Sequence, residues 1–266
     1  MNQQELLPHL FITEYRKIIA VLCKRFGFDE METAEDIASD TFLTAAQTWP
    51  VKGLPHNPVA WLYNVAKNKA NNFLLRSHLF DTKIAPAIKS ETAEAFEIDL
   101  SPESINDSQL QMMFAVCHPA ISTEAQVGLS LRILCGFGIV EIADTVLTSR
   151  ETVNKRLFRA RGKLREEKIA IELPGPAAME ECLNTVLTTI YLLFSEGNYS
   201  TTSNEVLRRD FCLEAMQLCY MLAENPFTYR SQVNALLSLM CFHASRFGFY
   251  RAYKQHTPFI EGIQLK

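Results

Sequence analysis

The stretch that most limits how this chain can fold is residues 141–165, EIADTVLTSRETVNKRLFRARGKLR. Ile142, Ala143 and Val146 fall on one side of a short helix over 141–146, and Ser149 stands where its hydroxyl can cap a second one. Two helices joined by so short a turn predict a helix-turn-helix. In the second helix Val153, Leu157, Ala160 and Leu164 recur at helical spacing, which predicts one buried stripe. The other faces are basic. Arg150, Lys155, Arg156, Arg159, Arg161, Lys163 and Arg165 stand against Glu151 alone, in a chain whose net charge is −4. A positive concentration of this kind predicts a polyanionic partner.

A recognition helix brings its N-terminal side chains to base edges in the major groove, while cations further along meet phosphates. Base contact is therefore expected of Arg150, Glu151, Thr152, Lys155 and Arg156, and backbone contact of Arg159, Arg161, Lys163 and Arg165. The competing reading is a solvated basic helix lying on an acidic neighbour. The turn position that often carries Gly is Leu147, so the turn is expected to do without a left-handed glycine.

Upstream, the apolar residues of 4–26 keep a helical period that Gly27 closes. Thr33 with Asp36 then reads as a capping box opening a second helix that runs to Trp49. Ile37, Thr41, Phe42 and Ala45 share its inward side, and Glu35, Asp36 and Asp40 are expected to stay exposed. Asn57 and Pro58 signal a third helix, to about Arg76, on which Trp61, Asn64, Lys67, Asn68 and Asn71 gather an aromatic, amides and a charge suited to single-stranded nucleic acid. Residues 81–105 are rich in acids and carry two prolines, the composition of a flexible linker. A second small domain is expected from near Asn106, with Thr123 and Gln126 as a further capping box. After Pro174, Gly175 and Pro176 come three long apolar-periodic helices, over 177–195, 206–222 and 232–246, in which a tetratricopeptide-like array is expected. The fold class is all-α.

No apolar run is long enough to span a membrane and no secretory leader is visible, which places the chain in the cytoplasm. Seven scattered cysteines without a CxxC pair suit reduced thiols acting as small hydrophobes, and Cys117 beside His118 is too sparse for a metal site. No nucleophile elbow, phosphate loop or HExxH is present, so neither enzyme chemistry nor a cofactor is expected.

In this order, the pieces resemble a bacterial RNA polymerase sigma factor of the extracytoplasmic-function class, over residues 10–168. AEDIASDTFLTA (34–45) is similar to the helix that grips the clamp helices of the largest polymerase subunit, which implies core binding by Glu35, Asp36, Asp40 and Phe42. PVAWLYNVAKNKANNFLLR (58–76) is similar to the helix that opens and reads the −10 element, which implies roles for Trp61, Asn64, Lys67, Asn68, Lys69 and Arg76. The helix-turn-helix corresponds to the reader of the −35 element. Ser39 stands where the family commonly has Gln, and Asn72 and Leu75 thin a segment usually richer in Asp and Arg. MMFAVCHPAISTEAQVGLSLR and LTTIYLLFSEGNY resemble those members that carry a long C-terminal helical extension.

The resemblance implies residues 1–80 as region 2, 106–172 as region 4 and 173–266 as the extension, which fades after Arg246 and reads as incomplete. Core RNA polymerase and promoter DNA are the implied partners. Leu187, Ile190, Tyr191 and Phe194 carry apolar surface that either packs within the extension as a helical array or also docks on the promoter-binding domains; docking is the favoured expectation, so that the extension controls activity in cis and a chain ending at Glu172 keeps its fold. The rival reading is a one-component helix-turn-helix regulator with a C-terminal sensing domain, but a repressor has no need of the acidic helix at 34–45.

Overall fold

The computed structural model describes residues 3–84, 98–199 and 205–246, and among them the regular structure is entirely helical. The order is α1 (Gln3–Phe26), a 3₁₀ turn (Phe28–Glu30), α2 (Met31–Lys52), α3 (Pro58–Ile84), α4 (Pro102–Ala115), α5 (Thr123–Ile133), α6 (Ile139–Thr145), α7 (Arg150–Glu166), α8 (Pro176–Tyr199), α9 (Glu205–Glu224) and α10 (Ser231–Arg246). The chain divides into two compact units, residues 1–185 and 186–266. Both segments expected to meet promoter DNA therefore lie in one unit, together with the first turns of α8. No helix among the described residues is long and apolar enough to cross a membrane.

Unit one is built around α1, which packs against α2, α3 and α4. Ile18, Ile19 and Leu22 are buried on it, and Ala34, Ala38 and Ala45 of α2, with Ala66 and Ala70 of α3, are fully covered. Small residues at these positions let helix axes approach closely, so the larger side chains fill the space between them. The second half of the unit wraps Phe114, Leu129, Phe137, Ile142, Leu157 and Leu164 into one apolar centre. Gly136, at φ +69°, turns the chain after α5 so that the Phe137 N–H reaches the Leu131 carbonyl at 3.0 Å.

Several helix starts differ from expectation. Thr33 lies inside α2, which begins at Met31 after the 3₁₀ turn, and its hydroxyl donates to Glu30 Oε2 at 2.6 Å instead of capping. Ser122, not Thr123, caps α5, accepting from the Ala125 N–H, while Gln126 Nε2 reaches the His118 and Ile121 carbonyls. α4 starts at Pro102, with Ser101 as N-cap and proline in the first turn, four residues before the expected domain start. Most of the expected linker, residues 85–97, lies outside the described residues. The Asn57 cap forms, its Oδ1 accepting from the Ala60 N–H at 3.0 Å.

α8 enters unit one through two bonds. Cys182 Sγ donates to the Cys117 carbonyl at 2.9 Å and Thr185 Oγ1 meets Gln126 Oε1 at 3.2 Å. In unit two, α9 and α10 pack against each other, with Leu222, Val233 and Met240 buried and Thr228 Oγ1 closing the turn between them on the Leu222 carbonyl at 2.7 Å. Ile190 and Phe194 are buried there, whereas Tyr191 is 45% exposed.

All seven cysteines are free. Burial pushes the thiols of Cys23, Cys117, Cys212 and Cys219 up to about 12, as expected of thiols behaving as hydrophobes. Cys117 Sγ pairs with Ser130 at 3.7 Å and His118 Nδ1 accepts from the Ala120 N–H, so both serve local structure.

Candidate nucleic-acid interface

α7 folds as its sequence requires. Ser149 Oγ accepts from the Thr152 N–H at 3.2 Å, and Val153, Leu157, Ala160 and Leu164 are the buried stripe. The turn before it closes through the Thr148 N–H on the Ala143 carbonyl at 2.9 Å and the Leu147 N–H on that of Asp144 at 3.4 Å, the double bond pattern of a Schellman motif. That pattern needs a left-handed residue after the cap. Leu147 supplies it without being glycine, at φ 52° and 93% exposed. No glycine stands in the turn, as expected, yet the left-handed conformation is kept: the two hydrogen bonds and the packing of both helices outweigh the roughly 1–2 kcal/mol a side chain costs there.

The basic faces of α7 divide into two. Lys155, Arg159 and Lys163, four residues apart, form an exposed ladder, with Arg156 half-buried beside it. Lys155 pairs with Glu151 at 2.6 Å and Lys163 with Glu167 at 3.8 Å, both exposed pairs within the helix that contribute little stability. Arg150 and Glu151 are exposed and Thr152 is half-buried at the N-terminus, its hydroxyl 2.8 Å from that of Ser149. Arg161 turns the other way, where its Nη2 meets Glu35 Oε1 of α2 at 2.7 Å, with both side chains only 17% exposed. Arg132 of α5 approaches the same oxygen at 4.0 Å, and Arg165 comes to 4.0 Å from Asp29. On this side Glu32, Arg132, Asn154, Phe158 and Arg161 border a groove of about 360 Å³. The reading of a basic helix lying on an acidic neighbour thus holds for one of its sides.

The acidic helix differs from expectation at two positions. Glu35 is largely covered by Arg161 instead of exposed, and Phe42 is 5% exposed, its ring packed edge-on against Phe11 at 5.2 Å and Tyr15 at 6.0 Å. Its aromatic bulk belongs to the core, so in this arrangement Phe42 offers no surface to a partner. Asp36 and Asp40 are exposed, and Asp40 Oδ2 receives Lys69 Nζ of α3 at 2.5 Å. Ser39 Oγ lies 3.1 Å from the Tyr15 hydroxyl, whose ionisation burial pushes up.

On α3, Asn64, Asn68 and Arg76 are exposed and Lys67 and Lys69 half-buried. Trp61 is half-buried and stands edge-on to the buried Trp49 at 5.5 Å. The contact fixes the Trp61 ring against the core, in an edge-to-face pairing of two indoles. Sequence reasoning missed Arg132, Asp29 and the exposed Phe158, which is 79% accessible beside Asn154. The periodicity of α7 placed Phe158 off the buried stripe, the one signal that could have found it.

Comparison with known proteins follows the same division. Residues 11–78 match the family model described as Sigma-70 region 2, and residues 182–257 match a family of unknown function, DUF6596. An uncharacterized protein of Rhizobium meliloti is 28% identical over 223 residues, 82% of this chain and 52% of the relative, so the chain spans about half the length of that protein. The RNA polymerase sigma-H factor of Pseudomonas aeruginosa is 29% identical over 162 residues, 57% of this chain and 81% of that factor. No solved structure matches. The region 2 match, which covers most of α1 to α3, and the likeness to sigma-H together support a sigma-factor family for this chain.

Proposed function

We propose that the chain is a promoter-specificity subunit of the extracytoplasmic-function type. It binds core RNA polymerase through Asp36 and Asp40 of α2, with Glu35 joining them once freed from Arg161. Trp61, Asn64, Asn68, Lys67, Lys69 and Arg76 of α3 meet the −10 element, and α7 reads the −35 element with Arg150, Glu151, Thr152, Lys155 and Arg156. Arg159 and Lys163 hold phosphates, and the subunit performs no chemistry of its own. The helices after Pro176 act in cis, and the bonds that Cys182 and Thr185, in the first turns of α8, make within unit one favour this reading.

The observation that carries the proposal is the exposed ladder of Lys155, Arg159 and Lys163 on a capped second helix, in one compact unit with a segment matching Sigma-70 region 2. Arg159 and Lys163 facing phosphate give a salt slope of log affinity near −1.8 on duplex DNA, at about −0.9 for each neutralised phosphate. Arg159→Ala should flatten that slope by about 0.9, whereas Asp36→Arg with Asp40→Arg should leave it and abolish transcription from promoter fragments by core polymerase. Unchanged salt dependence in the first variant and full transcription in the second would refute the reading.

A further inference from the structure

Glu35 stands where two surfaces meet. It belongs to the acidic helix given above to polymerase, yet its carboxylate is held by Arg161 of the recognition helix at 2.7 Å and approached by Arg132 at 4.0 Å. The pair spans 126 residues of sequence and is 17% exposed on each side, so salt screens it less than the open pairs of Lys155 and Lys163. The Nε of Arg161 is itself buried with no hydrogen-bond partner, so the guanidinium is committed to the protein side of α7. Asp29 and Arg165 repeat the same acid-to-base contact at the far end of the helix, at 4.0 Å. Asp40 repeats it on α3, where it takes up Lys69 at 2.5 Å. Carboxylates of α2 and of the turn before it thus occupy cations that a nucleic-acid phosphate would otherwise take.

We infer that the Glu35–Arg161 pair is an autoinhibitory latch, in which α2 serves as an internal substitute for the DNA backbone and keeps the recognition helix and the polymerase-facing carboxylate closed against each other. The inference rests on the promoter-subunit reading. One contact cannot be released without the other: a partner that claims Glu35 frees Arg161 for phosphate, and DNA that claims Arg161 frees Glu35. Binding of polymerase and of DNA is therefore reciprocally favourable, through the closed population that each removes.

The test uses the full chain and a short mixed-sequence DNA duplex, with affinity followed by fluorescence anisotropy across salt and hydrogen exchange followed along α7. Glu35→Gln should bind the duplex on the order of tenfold more tightly, as the competent fraction rises. Its salt slope should steepen by about 0.9, because one more cation reaches phosphate. Adding Arg161→Ala to Glu35→Gln should abolish the gain, and Glu103→Gln, which removes an exposed acid on α4, should not reproduce it. Hydrogen exchange around Arg161 should rise in Glu35→Gln. Should that variant fail to fold, Glu35→Asp, with a carboxylate too short to hold both arginines, should show the same signs in smaller measure.

Wild-type affinity, slope and exchange in Glu35→Gln would overturn the latch while leaving the promoter reading standing. A gain that survives in the double variant would overturn it too, as bulk charge. Faster exchange with no duplex binding by any form would refute the DNA-binding reading and with it the masking role.

Discussion

Arg16 of α1 is 2% exposed, and its Nη1 donates to the Leu134 carbonyl at 2.9 Å, a buried bond that joins the first helix of the chain to the end of α5. The Leu134 carbonyl belongs to the last turn of α5, where backbone acceptors have no helical partner of their own. The Nε also donates to the Ile12 carbonyl at 2.9 Å, and the aliphatic stem lies along the left-handed Gly136. Arg16→Met keeps the stem and removes the donors. Orphaning one buried carbonyl costs about 1–3 kcal/mol, and bonds from a charged donor sit at the upper end of the range. Relief of the guanidinium's desolvation offsets part of that, and the Ile12 carbonyl loses little because it still accepts within α1.

The net expectation is a destabilisation of about 2 kcal/mol, or roughly 4–8 °C in Tm for a unit of this size. Urea unfolding followed by tryptophan fluorescence measures it, since Trp49 and Trp61 both lie in unit one. Hydrogen exchange should rise at residues 134–137 in the same variant. A loss below about 0.5 kcal/mol, or a variant more stable than the parent, would show that the buried guanidinium is not what holds the two halves of the unit together.

Other outcomes follow from the same geometry. Leu147→Gly should stabilise unit one by up to about 1 kcal/mol, since left-handed strain is relieved and a 93% exposed side chain gives up no burial; a lower melting temperature would contradict the strain. Ending the chain at Glu172 should cost unit one about 1–3 kcal/mol, because the Cys182 and Thr185 bonds are lost and Gln126 Oε1 is stripped of a buried partner; an unaltered urea midpoint would show α8 to be dispensable there. The buried thiols bind their protons more tightly folded than unfolded. Stability is therefore full below about pH 8.5 and falls as pH climbs toward 12, with alkylation of the native chain beginning at the half-buried Cys241. Mass spectrometry after brief alkylation at mildly alkaline pH checks the order, and early labelling of Cys23 or Cys117 would refute it.

What the sequence determined by itself was whatever depends on neighbours a few residues away. The stripe of Val153, Leu157, Ala160 and Leu164, the Ser149 cap and the Asn57–Pro58 start all rest on helical period and on side chains reaching their own backbone, and each is where the pattern places it. The start of α4 at Ser101–Pro102 was equally legible but was masked by the acidic composition around it. Thr33 shows the limit of local rules: its capping pattern is intact, but the 3₁₀ turn ahead of it lets α2 begin three residues earlier and makes its hydroxyl a partner of Glu30.

Only the tertiary structure decided which charges face out. Arg159 and Arg161 are indistinguishable by composition, yet two residues turn a helix by about 200°, and the Glu35 that receives Arg161 lies 126 positions away. Leu147 takes a left-handed φ for the same kind of reason. Its own preference is small against the packing of α6 and α7, which fixes the turn between them from both sides.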